Sequence, residues 1–451
     1  MVPGTKGYRA EGRPRGPKAR GRADTLPLDM DLFDDLRWRG LVHQWTGEDA
    51  LPARLRTGPI TLYLGIDPSA SSLHIGHLVG LMTLRRFQQA GHRPIAVAGG
   101  GTGMIGDPSG KSDERNLLSE DELAANLDGI RAQIARFLDF EGGGALLLNN
   151  ADWLRKLGYI EFLRDVGKHF SVNTMLAKES VRARLASEAG ISYTEFSYML
   201  IQADDFVHLY DTAGCELQVG GSDQFGNISA GVDLGRRMRG VQLFGLTWPL
   251  VTRSDGAKMG KTAQGAVWLD PNRTSPYAFY QWFINVPDAD AVHFLKIYTE
   301  LRRQKIEDLE ALVKKEPQKR EAQRTLAREL TLLVHGEEGL RAAERASEAL
   351  FGGDLEGLSE AELLEIFADV PSKELPRARL DVLTAGDALI EGGLAKSKSE
   401  ARRLIEGGGA SVGSRRVGDP DERLVAGDLA PGEIMVLRAG KSRFALLRFR
   451  G

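Results

Sequence analysis

Leu73-His74-Ile75-Gly76-His77 sets two histidines three residues apart around a glycine, after an apolar stretch over 60–66 and before an amphipathic one over 78–90. The pair therefore falls where a strand passes into a helix. Unpaired N–H groups and the helix dipole favour a phosphate at such a start, and Gly76 lets a nucleobase approach the backbone. This spacing reads as a nucleotide site, although a capping or surface arrangement fits the same four residues. Far downstream, Ser254-Asp255-Gly256-Ala257-Lys258-Met259-Gly260-Lys261-Thr262 is a glycine-punctuated loop with two lysines three apart. Between the two lies Tyr198-Met199-Leu200-Ile201-Gln202-Ala203-Asp204-Asp205, in which Tyr198, Gln202 and Asp205 share one helical face. Polar groups on an apolar stripe need a polar partner, either a ligand or an internal hydrogen-bond network. The run Gln218-Val219-Gly220-Gly221-Ser222-Asp223-Gln224 then takes a strand into glycines and acidic and amide groups, where Asp223 can accept from ribose hydroxyls and Ser222 can cap a helix.

Positioning these groups requires a parallel sheet. The stretch 60–66 predicts a strand, Ser71 or Ser72 a helix cap, Gly91 the helix end, and 94–99 a second buried strand. The result is a β-α-β unit within a Rossmann-like, doubly wound α/β sheet. The glycine-rich segment 99–111 reads as a loop, and Gly110-Lys111-Ser112 lacks the upstream glycine of a Walker A sequence. Helices are predicted near 119–138 and 153–166, and helical periodicity resumes from Ser275-Pro276. The expected divisions are a disordered basic extension over 1–29, a catalytic domain over 30–249, the lysine loop with an α-helical domain over 250–350, a linker over 351–380, and a small α+β domain over 381–451.

The chain has 451 residues and a formal net charge of −3, so any nucleic-acid contact must use a local patch. One cysteine, Cys215, excludes a disulfide framework and a cysteine-built zinc site, and fits a reducing cytosol. No apolar run reaches the roughly 18 residues that span a membrane. The first 25 residues carry Lys6, Arg9, Arg13, Arg15, Lys18, Arg20 and Arg22 against Glu11 and Asp24, with no core-forming content. Translation starting at Met30 is one expectation, testable by the N-terminal mass; a flexible basic arm on RNA is the other. From Asp381 onward twelve Lys and Arg face ten Asp and Glu, so function there rests on charge placement. Lys398 and Arg402 lie i,i+4 on a predicted helix with Arg403 beside them, and Lys441 and Arg443 fall in a predicted hairpin turn.

His-Ile-Gly-His and Lys-Met-Gly-Lys-Thr resemble the HIGH and KMSKS motifs of class I aminoacyl-tRNA synthetases, and residues 381–451 resemble the S4 RNA-binding domain. With all motifs in order from Met30 to Gly451, the chain is similar to the bacterial tyrosyl-tRNA synthetase family. The resemblance implies a cytoplasmic homodimeric ligase that uses ATP with Mg2+ to convert L-tyrosine to tyrosyl-adenylate and passes it to the terminal adenosine of the tyrosine tRNA. It implies that Tyr63 and Asp205 bind the phenol hydroxyl, with Asp107, Asn150, Tyr198, Gln202 and Gln218 around the amine and its neighbours. It assigns Ser69 and His74 to the outer phosphates, Gly76 and His77 to the adenosine side, and Asp67, Gly221, Asp223 and Gln224 to the nucleoside, ribose and reacting carboxylate. Lys111, Arg115, Lys258, Lys261 and Thr262 would close over pyrophosphate on mobile loops. Lys396, Lys398, Arg402, Arg403, Lys441 and Arg443 would meet RNA, and no side chain is assigned to a resident metal. Three departures stand out: Ser69 where threonine is common, Leu64 where cysteine is frequent, and Asp204 in place of an aromatic, whose charge is expected to raise the pKa of Asp205 slightly. Tryptophanyl-tRNA synthetases share the motifs. A nucleotidylyltransferase would share the histidines alone, and a non-catalytic RNA-binding relative would not need the intact histidines and lysines.

Overall fold

A computed structural model describes residues 31–109, 119–186, 190–254, 256, 261–262, 265–349, 355, 358–368, 370–440 and 443–450. The extension over 1–29 lies outside the described residues, as do Lys111, Arg115, Lys258 and Lys441.

Six strands form the main sheet: β1 (Gln44–Trp45), β2 (Thr61–Ile66), β3 (Arg93–Ala98), β4 (Leu146–Asn149), β5 (Cys215–Gly221) and β6 (Phe244–Trp248). Their order is β1-β6-β5-β2-β3-β4, parallel throughout except for the β1–β6 pair. The central strand β2 is nearly continuous in apolar residues, as a strand covered on both faces must be. From β2 the chain moves one way to β3 and later returns on the other side with β5, so the sheet switches direction between β2 and β5. A ligand crevice opens outside the carboxyl ends of the strands at such a switch. Asp67, Gly99, Asn150 and Ser222 each follow directly on the ends of β2, β3, β4 and β5.

The first helix after β2 spans Ile75–Gln89 and starts later than Ser71 or Ser72 would allow. Leu73 accepts from the Leu269 N–H and Ile75 donates to Val267, so the backbone stays extended through His74. Ser72 is buried, and its hydroxyl accepts from Gln133 and from the Asp270 N–H. The helix expected near 119–138 spans Glu120–Ile134 behind a Ser119/Glu122 capping box. The one expected near 153–166 is two short helices, Ala151–Leu154 and Tyr159–Asp165, parted around Gly158. A small hairpin joins β7 (Lys261–Thr262) to β8 (Gly265–Ala266).

The chain forms two compact units, and they do not follow the expected boundaries at 250 and 381. One contains the sheet and also takes in Phe283–Val334. The buried guanidiniums of Arg39 and Arg86 explain why: they donate to the carbonyls of Lys296, Ile297, Thr299 and Leu301 at and beyond the end of the Asp288–Tyr298 helix. The other combines Ser275–Trp282 with His335–Gly451. Its sheet contains β9 (Ser372–Pro376), β10 (Ala410–Val412), β11 (Arg415–Arg416), β12 (Ile434–Ala439) and β13 (Arg443–Arg450) in the order β11-β10-β12-β13-β9. The expected linker thus supplies a strand, parallel to β13, and a capped helix, Glu360–Ile366. Leu363, Ile366 and Phe367 of that segment pack with Ile434, Val436, Phe444 and Leu446 in one core. Among the described residues no helix is long and apolar enough to cross a membrane.

Candidate active site

His74 is the N-cap of the Ile75–Gln89 helix. Its Nδ1 accepts from the Gly76 N–H at 3.1 Å, and His77 Nδ1 accepts from the His74 N–H at 3.2 Å. The two rings lie 4.0 Å apart. The first N–H groups of the helix are therefore already used, since Ile75 donates to Val267 and His77 to His74. This corrects the expectation that free backbone donors receive a phosphate. With both Nδ1 atoms accepting, each neutral imidazole presents its Nε2–H as a donor. Burial, then the neighbouring His74, lowers the His77 pKa to about 3, so His77 is uncharged at neutral pH. Ser69 is exposed at the turn after β2, where its N–H donates to the Asp67 carbonyl.

The segment that follows the second motif pairs with the first. Lys261 and Thr262 pair with Ala266 and Gly265 across the β7–β8 hairpin, and Trp268, two residues beyond, bridges to His74. The Trp268 ring stands edge-on to the His74 ring at 5.9 Å, under the Arg273 guanidinium. At the other end of this loop, the Ser254 N–H and hydroxyl donate to the Asp290 carboxylate.

The glycine run after β3 exists because side chains from neighbouring strands occupy the space. A Cβ on Gly99 would sit 2.3 Å from Asp67 Oδ1, and one on Gly100 would sit 2.3 Å from Asn149 Oδ1. Asp67 accepts from Thr102 Oγ1 at 2.9 Å and from the Tyr198 hydroxyl at 3.3 Å. Asp107 accepts from the Ser109 N–H and from Gln224 Nε2 at 2.6 Å. Gln224 in turn accepts from Asn227 and from Gln202. The Gly220-Gly221 pair brings this network close to β5: a Cβ on Gly221 would lie 2.5 Å from Asp223 Oδ1.

At the closed end of the crevice Asp205 is 3% exposed. Its Oδ1 accepts from Trp153 Nε1 at 2.7 Å and its Oδ2 from Asn150 Nδ2 at 3.0 Å. Burial raises its pKa to about 7 against these two bonds, with Asp204 and Asp67 adding to the rise. The Asp204 effect has the expected sign, but desolvation is larger. Asn150 also donates to Thr102 and accepts from the Gly101 N–H, so both hydrogens of its amide are used within the protein and one of them orients Asp205. Tyr63 and Gln218 are register partners on β2 and β5, so their side chains emerge side by side, and the Tyr63 ring packs edge-on to Phe206 at 5.3 Å. The Tyr63 hydroxyl, Gln218 Oε1 and Gln202 Oε1 are buried with no hydrogen-bond partner. Buried polar atoms are usually hydrogen-bonded, which sets these three oxygens apart from the paired network around them.

Leu64 is buried beneath the Ile75–Gln89 helix, where a Cβ on Gly80 would meet its Cδ2 at 2.7 Å. In the second unit Lys396, Lys398, Arg402 and Arg403 are exposed around the Lys398–Glu406 helix, whose Ala401 and Ile405 are buried. Arg443 is exposed at the start of β13 and donates to the Leu394 carbonyl, and Arg402 pairs with Asp421 at 3.3 Å. Three residues essential to the site's geometry escape sequence reasoning: Trp153, Thr102 and Asn227. The aspartates they donate to lie 52, 35 and 120 residues away along the chain, and none of the three belongs to a spaced motif.

The family described as tRNA synthetases class I (W and Y) matches residues 55–352, and the tyrosine–tRNA ligase SYY-like C-terminal domain matches 362–447. A tyrosine–tRNA ligase from Rhodopirellula baltica is 55% identical over 432 residues, covering 95% of this chain and 99% of that protein. The C-terminally truncated mitochondrial tyrosyl-tRNA synthetase of Aspergillus nidulans superposes with a TM-score of 0.64 at 30% identity, over 71% of this chain and 94% of that one. A tryptophanyl-tRNA synthetase from Encephalitozoon cuniculi shares the fold at a TM-score of 0.53 and 15% identity, over 68% of this chain and 87% of that one. With the first motif paired to Trp268 just beyond the second, the chain belongs to the tyrosyl-tRNA synthetases, the class I ligases that attach tyrosine to its tRNA.

Proposed function

We propose that the buried end of the crevice holds the tyrosine side chain and that the histidine pair, with the β7–β8 hairpin, holds the ATP phosphates. The carrying observation is the set of buried oxygens without partners on Tyr63, Gln202 and Gln218 beside a carboxylate oriented by Trp153 and Asn150. Asp205 accepts the phenol O–H and Tyr63 donates to the phenol oxygen. Phenylalanine would leave the buried Tyr63 hydroxyl unpaired and deny Asp205 the phenol proton. The discrimination known for this enzyme family, about 10⁵ against phenylalanine without editing, is the benchmark for such a site. Tyr198, Gln202, Gln218 and Asp107 surround the amine and carboxylate, while Asp67, Gly221, Asp223 and Gln224 line the nucleoside.

The tyrosine carboxylate attacks the α-phosphorus in line and pyrophosphate departs; a ribose hydroxyl of the terminal tRNA adenosine then attacks the acyl carbon and releases AMP. Neither step needs a covalent protein intermediate. The chain supplies position and donors where charge accumulates: Nε2–H of His74 and His77, and the cations Lys111, Arg115, Lys258 and Lys261 with Thr262. Mg2+ enters on the ATP phosphates. Lys396, Lys398, Arg402, Arg403, Lys441 and Arg443 meet the tRNA backbone.

The working molecule is a cytoplasmic homodimer. Support for the dimer comes from the stretch 157–193, where Ile160 is 67% exposed, Tyr159 and Tyr193 64%, and Val172 and Leu185 are also exposed, a concentration of exposed apolar side chains of the kind that protein partners cover. Equilibrium binding tests the amino-acid site: Tyr63→Phe and Asp205→Asn should weaken tyrosine far more than phenylalanine. Equal affinity of the wild-type protein for both amino acids would refute the assignment.

A further inference from the structure

Trp153 sits on the four-residue helix Ala151–Leu154, none of whose side chains is fully buried. So short an element fixes an indole poorly by itself. Its edge donates to Asp205, and its face lies flat on the imidazole of His208, with centroids 4.5 Å apart and planes 14° from parallel. Asp205 and His208 are three residues apart on the Tyr193–Ala213 helix and therefore share a face, so one indole bridges both. We propose that His208 is a positioning residue for tyrosine recognition, holding Trp153 by ring stacking so that the indole N–H stays on the carboxylate that reads the phenol.

The inference rests on the reading that Asp205 accepts the phenol proton. Rotation of the indole away from Asp205 would leave one carboxylate oxygen without its donor, and the phenol would meet a displaced acceptor. Burial lowers the pKa of His208, and Lys156, just beyond Trp153, acts in the same direction against Asp211 on its own helix. The lowered pKa favours the neutral ring, and the ring stacks as a flat aromatic. The contact lies at the tyrosine end of the site, beside Asp205.

The test is tyrosine-dependent ATP–pyrophosphate exchange by the full chain carrying His208→Ala, His208→Leu, His208→Phe or Asp205→Asn, with KM for tyrosine, KM for ATP and kcat read separately. Loss of the stack in His208→Ala and His208→Leu should raise KM for tyrosine about three- to tenfold, the range of an aromatic contact, and narrow the preference over phenylalanine. KM for ATP and kcat should hold, and His208→Phe should restore the wild-type KM. Leucine fills the volume without stacking, so a folding failure of the alanine variant leaves the test intact. An unchanged KM for tyrosine in the leucine variant, a phenylalanine variant no better than leucine, or parallel loss for tyrosine and ATP would each overturn the role. If Asp205→Asn keeps the wild-type preference, the phenol-site reading itself fails. If Asp205→Asn loses it while His208→Leu behaves as wild type, only the role of His208 fails.

Discussion

A carboxylate buried as deeply as Asp205 is tolerable only because Trp153 and Asn150 each donate to one oxygen, and burial still raises its pKa to about 7. As pH falls through that value the group takes up a proton and loses acceptor capacity, so KM for tyrosine should rise on the acid side, and Asp205→Asn should flatten the profile. An acid-side KM equal to that at alkaline pH would contradict this. Stability runs the opposite way to a salt-bridged aspartate. Between the ordinary carboxylate range near about 4 and the raised value, the folded state holds more protons than the unfolded one, so stability falls as pH rises across that window. Asp205→Asn should therefore have a higher Tm than wild type above neutral pH and lose that advantage in acid. The polar stripe Tyr198, Gln202 and Asp205 was legible from helical spacing alone. Trp153 and His208 were not, because a long-range hydrogen bond and a ring stack leave no periodic trace in sequence.

The Ile75–Gln89 helix shows how one element serves two tasks. Its capping box is made by the same histidines that would donate to ATP, which merges the capping and nucleotide readings of that motif. Replacing His74 with alanine should cost about 0.5–2 kcal/mol of stability through the lost cap, as well as reducing kcat. On the buried face of this helix Gly80 and Leu64 are matched in size. Gly80→Ala should destabilise by about 1–3 kcal/mol in urea unfolding, and Leu64→Ala in the same chain should relieve part of that cost. Additive losses would mean that the two do not compete for space. The β-α-β unit itself was readable from apolar runs and glycines, whereas the delayed helix start depends on pairing with Val267 and Leu269, nearly two hundred residues on.

At the scale of the molecule, the exposed apolar side chains over 157–193 should govern assembly. Ile160→Asp should yield monomers by sedimentation and reduced aminoacylation, whereas unchanged mass would place the subunit interface elsewhere. The segment 351–380 looked like a connector because glycine, proline and charge interrupt its apolar residues. Its structure comes from partners far along the chain, with β9 completing a sheet against β13. Removal of 381–451 should therefore uncover Leu363, Ile366 and Phe367 and lower solubility, beyond abolishing tRNA charging.

The most direct measurement is ATP–pyrophosphate exchange by the purified full chain with each of the twenty amino acids, in wild type and Asp205→Asn. Exchange with tyrosine far above phenylalanine and tryptophan, and collapse of that preference in the variant, is the predicted result. Exchange driven equally by phenylalanine, or a preference that survives Asp205→Asn, would contradict a tyrosine site read by this carboxylate.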